Sequence, residues 1–388
     1  MRNGLIYLDN AATSFPKPAG VIEAMEVFMR KSGANPGRSG HRLSIEAGRV
    51  VFELRERIAE LFGFSDSSRV VYCLNATEAI NLGLKGILKK GDHVITSSVE
   101  HNSVMRPLRA LQREEIDVTV VPCNPRGQLD PEDIRKSIKK NSRMVILTHA
   151  SNVAGTILPV GLVGEICRSH GILFMLDAAQ TAGVLPINME KENIDLLAFT
   201  GHKALFGPQG TGGLVIGKAI EDKTFQPLKR GGTGSRSELE EQPDFFPDLC
   251  ESGTLNTVGL AGLRAGVEFI LETGIDKIRA CEKALAFQLI KGMQKIPEII
   301  VYGPTDAENQ CATVSFNIKG WSPSDLGFRL DEEFGILTRV GLHCAPSAHK
   351  TIGTFPGGTV RASMSYLNTE QEIDHFLEAL SILARKGA

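Results

Sequence analysis

The sequence predicts an α/β protein: a large unit built on one mostly parallel seven-stranded sheet, followed by a smaller α+β unit. Three observations carry this. Between residues 70 and 216, seven short apolar runs alternate with stretches of helical periodicity, the pattern of crossovers that cover both faces of a parallel sheet. After about residue 258 that alternation stops, and two long helical stretches precede scattered strands. The length, 388 residues, suits two or three units at roughly 100–200 residues each. The expected division is a large unit over 15–258 and a small one formed by 1–14 with 259–388.

In order, a short apolar start at Ile6-Tyr7-Leu8 runs into the small-residue turn Asp9-Asn10-Ala11-Ala12-Thr13. Pro16 and Pro18 lead into a helix over 19–30, and a turn follows at 33–41. Ser44 is placed to cap a second helix in which Ile45, Val51, Leu54, Ile58 and Leu61 recur at helical spacing. Strands are expected at 70–74, 93–96, 118–121, 143–148, 172–177, 196–200 and 213–216, with helices at 77–88, 103–113, 131–139 and 162–169. The link before Gly213 is too short for a helical crossover, so that strand should run antiparallel to its predecessor. Residues 222–258 read as irregular. Helices at 258–272, 276–291, 323–333 and 369–384 then alternate with strands at 299–302, 312–318, 336–340 and 359–364.

Composition narrows the function. Apolar residues make up 42% and charged residues 23%, and the formal net charge is −2, which gives no general pull toward nucleic acid or anionic membranes. No apolar run approaches the ~18 residues of a membrane span, and residues 1–5 lack the apolar core of a secretory signal. The chain reads as cytoplasmic. Its seven cysteines are scattered with no Cys-x-x-Cys, which argues against a disulfide framework or a zinc site. No His-Glu-x-x-His occurs, so no metal is expected. Gly212–Lys218 fits Gly-x4-Gly-Lys, but Ala219 stands where a phosphate-binding loop needs Ser or Thr.

Polar residues gather where the parallel strands end, the edge at which such sheets bind ligands. Thr77, in Asn75-Ala76-Thr77-Glu78, either simply starts a helix or offers an anion site suited to phosphate. His101 is either a cap or a flat ring able to stack on an aromatic cofactor. Asp177, at the end of an apolar run, is a helix cap or a partner for a protonated pyridine nitrogen. Asn152 and Gln180 follow two other strand ends. Lys203, in Thr200-Gly201-His202-Lys203, is a surface lysine or an amine that joins a carbonyl cofactor.

The set Asp177-Ala178-Ala179-Gln180, Thr200-Gly201-His202-Lys203, Ala76-Thr77-Glu78-Ala79-Ile80-Asn81 and Glu100-His101-Asn102 resembles the class V aminotransferases, pyridoxal-phosphate enzymes of fold type I. Within that family the chain is similar to the cysteine desulfurase and selenocysteine lyase branch, from Tyr7-Leu8-Asp9-Asn10 to Arg361-Ala362-Ser363. The resemblance implies that Lys203 holds pyridoxal 5'-phosphate covalently and moves protons at the substrate Cα. Asp177 would pair with the pyridine nitrogen, Gln180 bond the ring oxygen, and His101 stack on the ring. Ala76, Thr77, Thr200 and His202 would hold the phosphate, and Thr254 would reach the phosphate of a partner subunit in a homodimer. Asn152, Arg339 and Arg361 would bind the substrate carboxylate.

Cys344 lies in Arg339-Val340-Gly341-Leu342-His343-Cys344-Ala345. On local grounds it is a structural thiol or a nucleophile that nearby His343 and Arg339 favour as thiolate. The Suf-type (group II) desulfurases carry a persulfide cysteine in a motif of this form. The implied reaction converts L-cysteine, or L-selenocysteine, to L-alanine, with the sulfur passing through Cys344 to an acceptor protein. A cysteine C–S lyase or an aminotransferase on the same cofactor is the alternative. The segment 346–358 is longer than in the Suf type.

Overall fold

The structure, a computed structural model, describes residues 4–36 and 40–386. Residues 1–3, read above against a signal segment, and 37–39 of the expected turn lie outside the described residues, as do 387 and 388. The chain opens with β1 (Ile6–Tyr7), α1 (Ala19–Lys31) and α2 (Arg42–Leu61). Then come β2 (Val70–Cys73), α3 (Ala76–Ile87), β3 (His93–Ser97), α4 (Asn102–Gln112), β4 (Asp117–Val121), α5 (Pro131–Lys136), β5 (Ser142–Thr148) and α6 (Val160–Ser169). Strands β6 (Leu173–Asp177), β7 (Leu196–Thr200) and β8 (Gly212–Ile216) follow. The remainder is α7 (Thr257–Thr273), α8 (Ile275–Met293), β9 (Ile299–Tyr302), β10 (Thr313–Ile318), α9 (Pro323–Phe334), β11 (Ile336–Leu337), β12 (Arg339–Gly341), α10 (Pro346–Thr351), β13 (Thr359–Ser363) and α11 (Glu370–Lys386).

Seven strands form one sheet in the order β2-β8-β7-β6-β5-β3-β4. Strands β4, β3, β5, β6 and β7 are mutually parallel, while β8 runs antiparallel to both β7 and β2, as the short link requires. Successive side chains on a strand face opposite ways. Along β7, Leu197 and Phe199 enter one core and Leu196 and Ala198 the other. On β5, Val145 and Leu147 face the first core, Met144 and Ile146 the second. The central strands are therefore apolar on both faces because helices cover both.

The second sheet, β12-β13-β10-β9, is antiparallel throughout. Its outer face packs on α8, α9 and α11 through Val314, Phe316, Val360 and Ala362. The alternation Thr359-Val360-Arg361-Ala362-Ser363 gives β13 a second, polar face that is also buried. That face, with Ser315, turns toward the large sheet: Ser315 Oγ donates to Val153 O at 2.8 Å.

Two expectations need correction. The run 336–340 is not one strand. It splits at Thr338, β11 pairing with β1 and β12 with β13, because β11's partner lies at the far end of the chain. The stretch after Cys344, for which no helix was expected, contains α10, which opens on Pro346, where a missing N–H costs nothing.

Glu282 on α8 is buried among these elements and accepts a hydrogen bond from Tyr366 N at 3.1 Å. Burial pushes its carboxyl up to about 8. A raised carboxyl favours the protonated fold, so stability is lost as pH climbs from the unfolded value, about 4.3, through the folded one. Glu282→Gln should melt increasingly above the wild type between about pH 5 and about pH 9, which calorimetry at several pH values checks.

Candidate active site

A cavity of about 260 Å³ opens at the carboxyl ends of β3, β5, β6 and β7 and at the start of α3. It is lined by Ala76, Thr77, His101, Asn152, Asp177, Gln180, Thr200, His202 and Lys203. The fold thus brings together nine of the residues singled out by sequence, from five separate segments.

At one end, α3 begins at Ala76, with Asn75 as its cap accepting from Glu78 N at 3.0 Å. The free N–H groups of this first turn carry the positive end of the helix dipole. Thr200 Oγ1 and His202 Nδ1 are buried in the same cavity without a partner among the described residues. Burial pushes the His202 imidazole down to about 4, so the ring is neutral at physiological pH. Unsatisfied buried donors are costly; here they face an anion-sized space at a helix N-terminus.

His101 forms the wall. It is the N-cap of α4, its Nδ1 accepting from Ser103 N at 3.0 Å. Capping and lining the cavity are thus compatible, and burial holds the ring near 4, neutral and flat. At the opposite end Asp177 terminates β6, with Oδ1 accepting from Ala179 N at 2.9 Å. Its carboxyl is buried and raised by that burial, and it makes no ion pair among the described residues. An unpaired buried carboxylate is expensive; a cationic ligand atom would relieve it.

Lys203 follows β7 on a turn held from several sides. Gly201 N donates to Thr211 O, and a Cβ at Gly201 would lie 2.1 Å from Thr211 Oγ1. The N-terminal segment clamps the turn as well: Thr13 Oγ1 donates to His202 O at 2.9 Å and Ser14 Oγ to Lys203 O at 2.8 Å. Burial lowers the Lys203 amine to about 8. Far more of it is then neutral than for an ordinary lysine, and the neutral amine is the form that attacks a carbonyl.

Arg339, Arg361 and Cys344 do not line the cavity but adjoin it. Arg361 is 1% exposed and donates from Nη1 to Asn152 O at 3.0 Å and from Nη2 to Asp9 Oδ1 at 2.7 Å. The sequence marks Asp9 only as part of Tyr7-Leu8-Asp9-Asn10; its partner lies at the other end of the chain, which no local pattern signals. The Asn152 side chain is partly engaged too, Nδ2 donating to His343 O at 2.8 Å. Cys344 is the exposed member of the seven cysteines; burial raises the other six thiols. Its carbonyl accepts from Asn102 N at 2.9 Å, next to His101. His343 and Cys344 both adopt left-handed backbone, φ 47° and 57°, at roughly 1–3 kcal/mol of strain each. His343 cannot supply the charge expected to favour a thiolate. Its ring is buried and pushed down to about 2, leaving Arg339 as the cation of the motif. Thr254 lies apart, in a groove with Tyr72, Glu78 and Lys229.

The aminotransferase class-V family model matches residues 6–376. The chain belongs to this family. A protein of Methanothermobacter thermautotrophicus described as "Probable cysteine desulfurase" is 36% identical over 387 residues, covering 98% of this chain and 95% of that protein. One of Pyrococcus abyssi with the same description is 36% identical over 391 residues, covering 98% and 94%. Among solved structures, the apo cysteine desulfurase of Thermococcus onnurineus NA1 superposes with a TM-score of 0.91 at 34% identity, covering 99% of this chain and 96% of that one. A cysteine desulfurase of Escherichia coli gives 0.87 at 28%, covering 100% and 96%. The class V family member described here has the mixed α/β architecture expected of it. No helix among its described residues is long and apolar enough to cross a membrane.

Proposed function

We propose that this class V family member is a pyridoxal-phosphate-dependent cysteine desulfurase that passes the sulfur of L-cysteine, or the selenium of L-selenocysteine, onward and releases L-alanine. The observation that carries the reading is the cavity itself. An amine held near 8, an unpaired buried carboxylate and two orphaned buried polar atoms at a helix N-terminus face one space. That donor set fits a flat ring with an aldehyde, a basic nitrogen and a phosphate.

When bound, pyridoxal phosphate supplies an electron sink for charge developing at the substrate Cα. The chain's own residues do the rest. Thr77, Thr200, His202 and the first turn at Ala76 bind the phosphate. Asp177 keeps the ring nitrogen protonated, Gln180 bonds the ring oxygen, and the neutral His101 ring covers one face. Lys203 holds the group covalently and then carries the proton at Cα. Arg361 and Arg339, with Asn152, orient the substrate carboxylate. Cys344 Sγ attacks the substrate sulfur, forming an S–S bond as the C–S bond breaks, and the carbon skeleton takes up protons to leave as alanine. In this reading residues 15–258 bind the cofactor, and 1–14 with 259–388 supply Arg339, Cys344 and Arg361.

The reading is of a cytoplasmic homodimer, in which Thr254 serves the partner subunit's cofactor, and of an enzyme that hands its persulfide to an acceptor protein. Supporting the dimer, Ile22 and Met29 on α1 and Ile45 and Phe52 on α2 are exposed, beside helices that pack on α7.

The deciding experiment incubates the holoenzyme with L-cysteine and identifies the carbon product. Alanine with released sulfide supports the reading, whereas pyruvate and ammonia, the products of a C–S lyase, overturn it. A second expected outcome concerns loading. The neutral Lys203 amine predominates above its value of about 8, so apoenzyme should take up pyridoxal phosphate faster as pH rises and level off beyond that point. Stopped-flow absorbance measures this.

A further inference from the structure

The buried guanidinium of Arg361 is paired within the chain. Its Nη2 donates to Asp9 Oδ1 at 2.7 Å and its Nη1 to Asn152 O, while Nε is buried without a partner among the described residues. Asp9 is built into this place by the backbone. It forms an isolated parallel bridge with Ser363, two residues along β13 from Arg361, and Ala11 N donates to Ser363 Oγ at 2.8 Å. Residues two apart on a strand share a face. Arg339 stands directly across from Arg361 in the β12–β13 register, so the two side chains lie on one face at cross-strand distance. Arg339 makes no ion pair among the described residues. The Lys203 amine feels Asp177, Arg361, Arg339 and Asp9, which places all of these charges around one site.

The charges can be counted. In the proposed holoenzyme Lys203 and Asp177 are both engaged with the cofactor, so the charges left to meet the substrate anion are those of Arg339, Arg361 and Asp9. Arg339 and Arg361 contribute two positive charges and Asp9 one negative, leaving a single unit of positive charge beside an unpartnered buried guanidinium donor. A substrate with one carboxylate balances that remainder; a second carboxylate would be left uncompensated next to Asp9, where like charges repel strongly in a site of low dielectric.

We propose that Asp9 is a specificity-determining residue: its carboxylate sets the charge of the substrate-anion site so that amino acids with one carboxylate are accepted and those with two are disfavoured. The proposal rests on the reading of Arg361 and Arg339 as carboxylate binders. It does not depend on what is done to the substrate's sulfur. Specificity is a difference of affinities, and here the repulsive element is part of the design.

The test measures equilibrium binding of L-alanine and L-aspartate to the holoenzyme by titration calorimetry. L-Aspartate is L-alanine bearing one additional carboxylate. The wild type should bind L-alanine more tightly. Asp9→Asn should shift the Kd ratio toward L-aspartate by about tenfold or more, the scale of one uncompensated close charge. Arg339→Gln, which leaves Asp9 in place, should shift it the other way by a similar factor, and it gives the answer if Asp9→Asn, with a buried guanidinium left unpaired, does not fold. A ratio that stays within about twofold of wild type in the folded variants overturns the proposal. Because the readout is binding, a protein that makes pyruvate from L-cysteine would defeat the functional reading while leaving this test intact.

Discussion

Lys203→Ala should yield a folded protein that no longer retains pyridoxal phosphate through desalting and has lost its visible absorbance. Turnover should fall by at least roughly 10³-fold, about 4 kcal/mol of barrier. The fold should survive because the turn is held by backbone: Gly201 N to Thr211 O, and the N-terminal hydroxyls to His202 O and Lys203 O. None of these uses the lysine side chain. The variant loses the amine that burial holds near 8 and the cation that acts on Asp177. An absorbance band that persists after desalting would move the covalent anchor to another residue.

Cys344→Ala should bind L-cysteine and the cofactor as the wild type does, yet turn L-cysteine over by roughly 10² to 10³-fold less, since the thiolate is the nucleophile. The substitution is structurally mild. Cys344 is exposed, its contact with Asn102 uses the backbone carbonyl, and alanine bears the same Cβ in the left-handed conformation. L-Selenocysteine, whose selenium leaves more easily, should lose less. Steady-state rates with both substrates read the difference, and full L-cysteine activity in the variant would exclude a persulfide step.

Much of this was legible in the sequence because local pattern and final environment agree. Leu173-Phe174-Met175-Leu176 is apolar on both faces, and the central sheet is buried on both; the carboxylate that ends the run had to be either capped or paired. Thr359-Val360-Arg361-Ala362-Ser363 alternates, and β13 has one apolar and one polar face. What stayed hidden depends on distant parts of the chain. Nothing local tells Ile336–Leu337 to pair with Ile6–Tyr7 while Arg339–Gly341 joins another sheet. The Asp9–Arg361 pair spans nearly the whole sequence. Histidine beside cysteine reads as a source of positive charge, yet burial leaves His343 neutral, its Nε2 3.1 Å from Thr359 Oγ1. Asn152, expected to meet substrate, also fixes the strained turn that presents Cys344.

The strained turn at His343 and Cys344 is held on both sides. Residue 351 anchors α10 to the large sheet, Thr351 Oγ1 donating to Ser98 O at 3.1 Å, and Asn102 and Asn152 hold the two carbonyls before it. The nucleophile is thereby presented from a fixed turn, which lowers the cost of orienting it for attack.

The central claim is that sulfur leaves the substrate onto Cys344. Mass spectrometry of holoenzyme mixed briefly with L-cysteine, quenched with a thiol-blocking reagent and digested, tests it most directly. The account predicts one additional sulfur atom on the peptide carrying Cys344 and on no other cysteine peptide, together with one alanine per sulfur bound. Alanine formed with Cys344 unmodified throughout turnover, or the extra sulfur on a different cysteine, would contradict it.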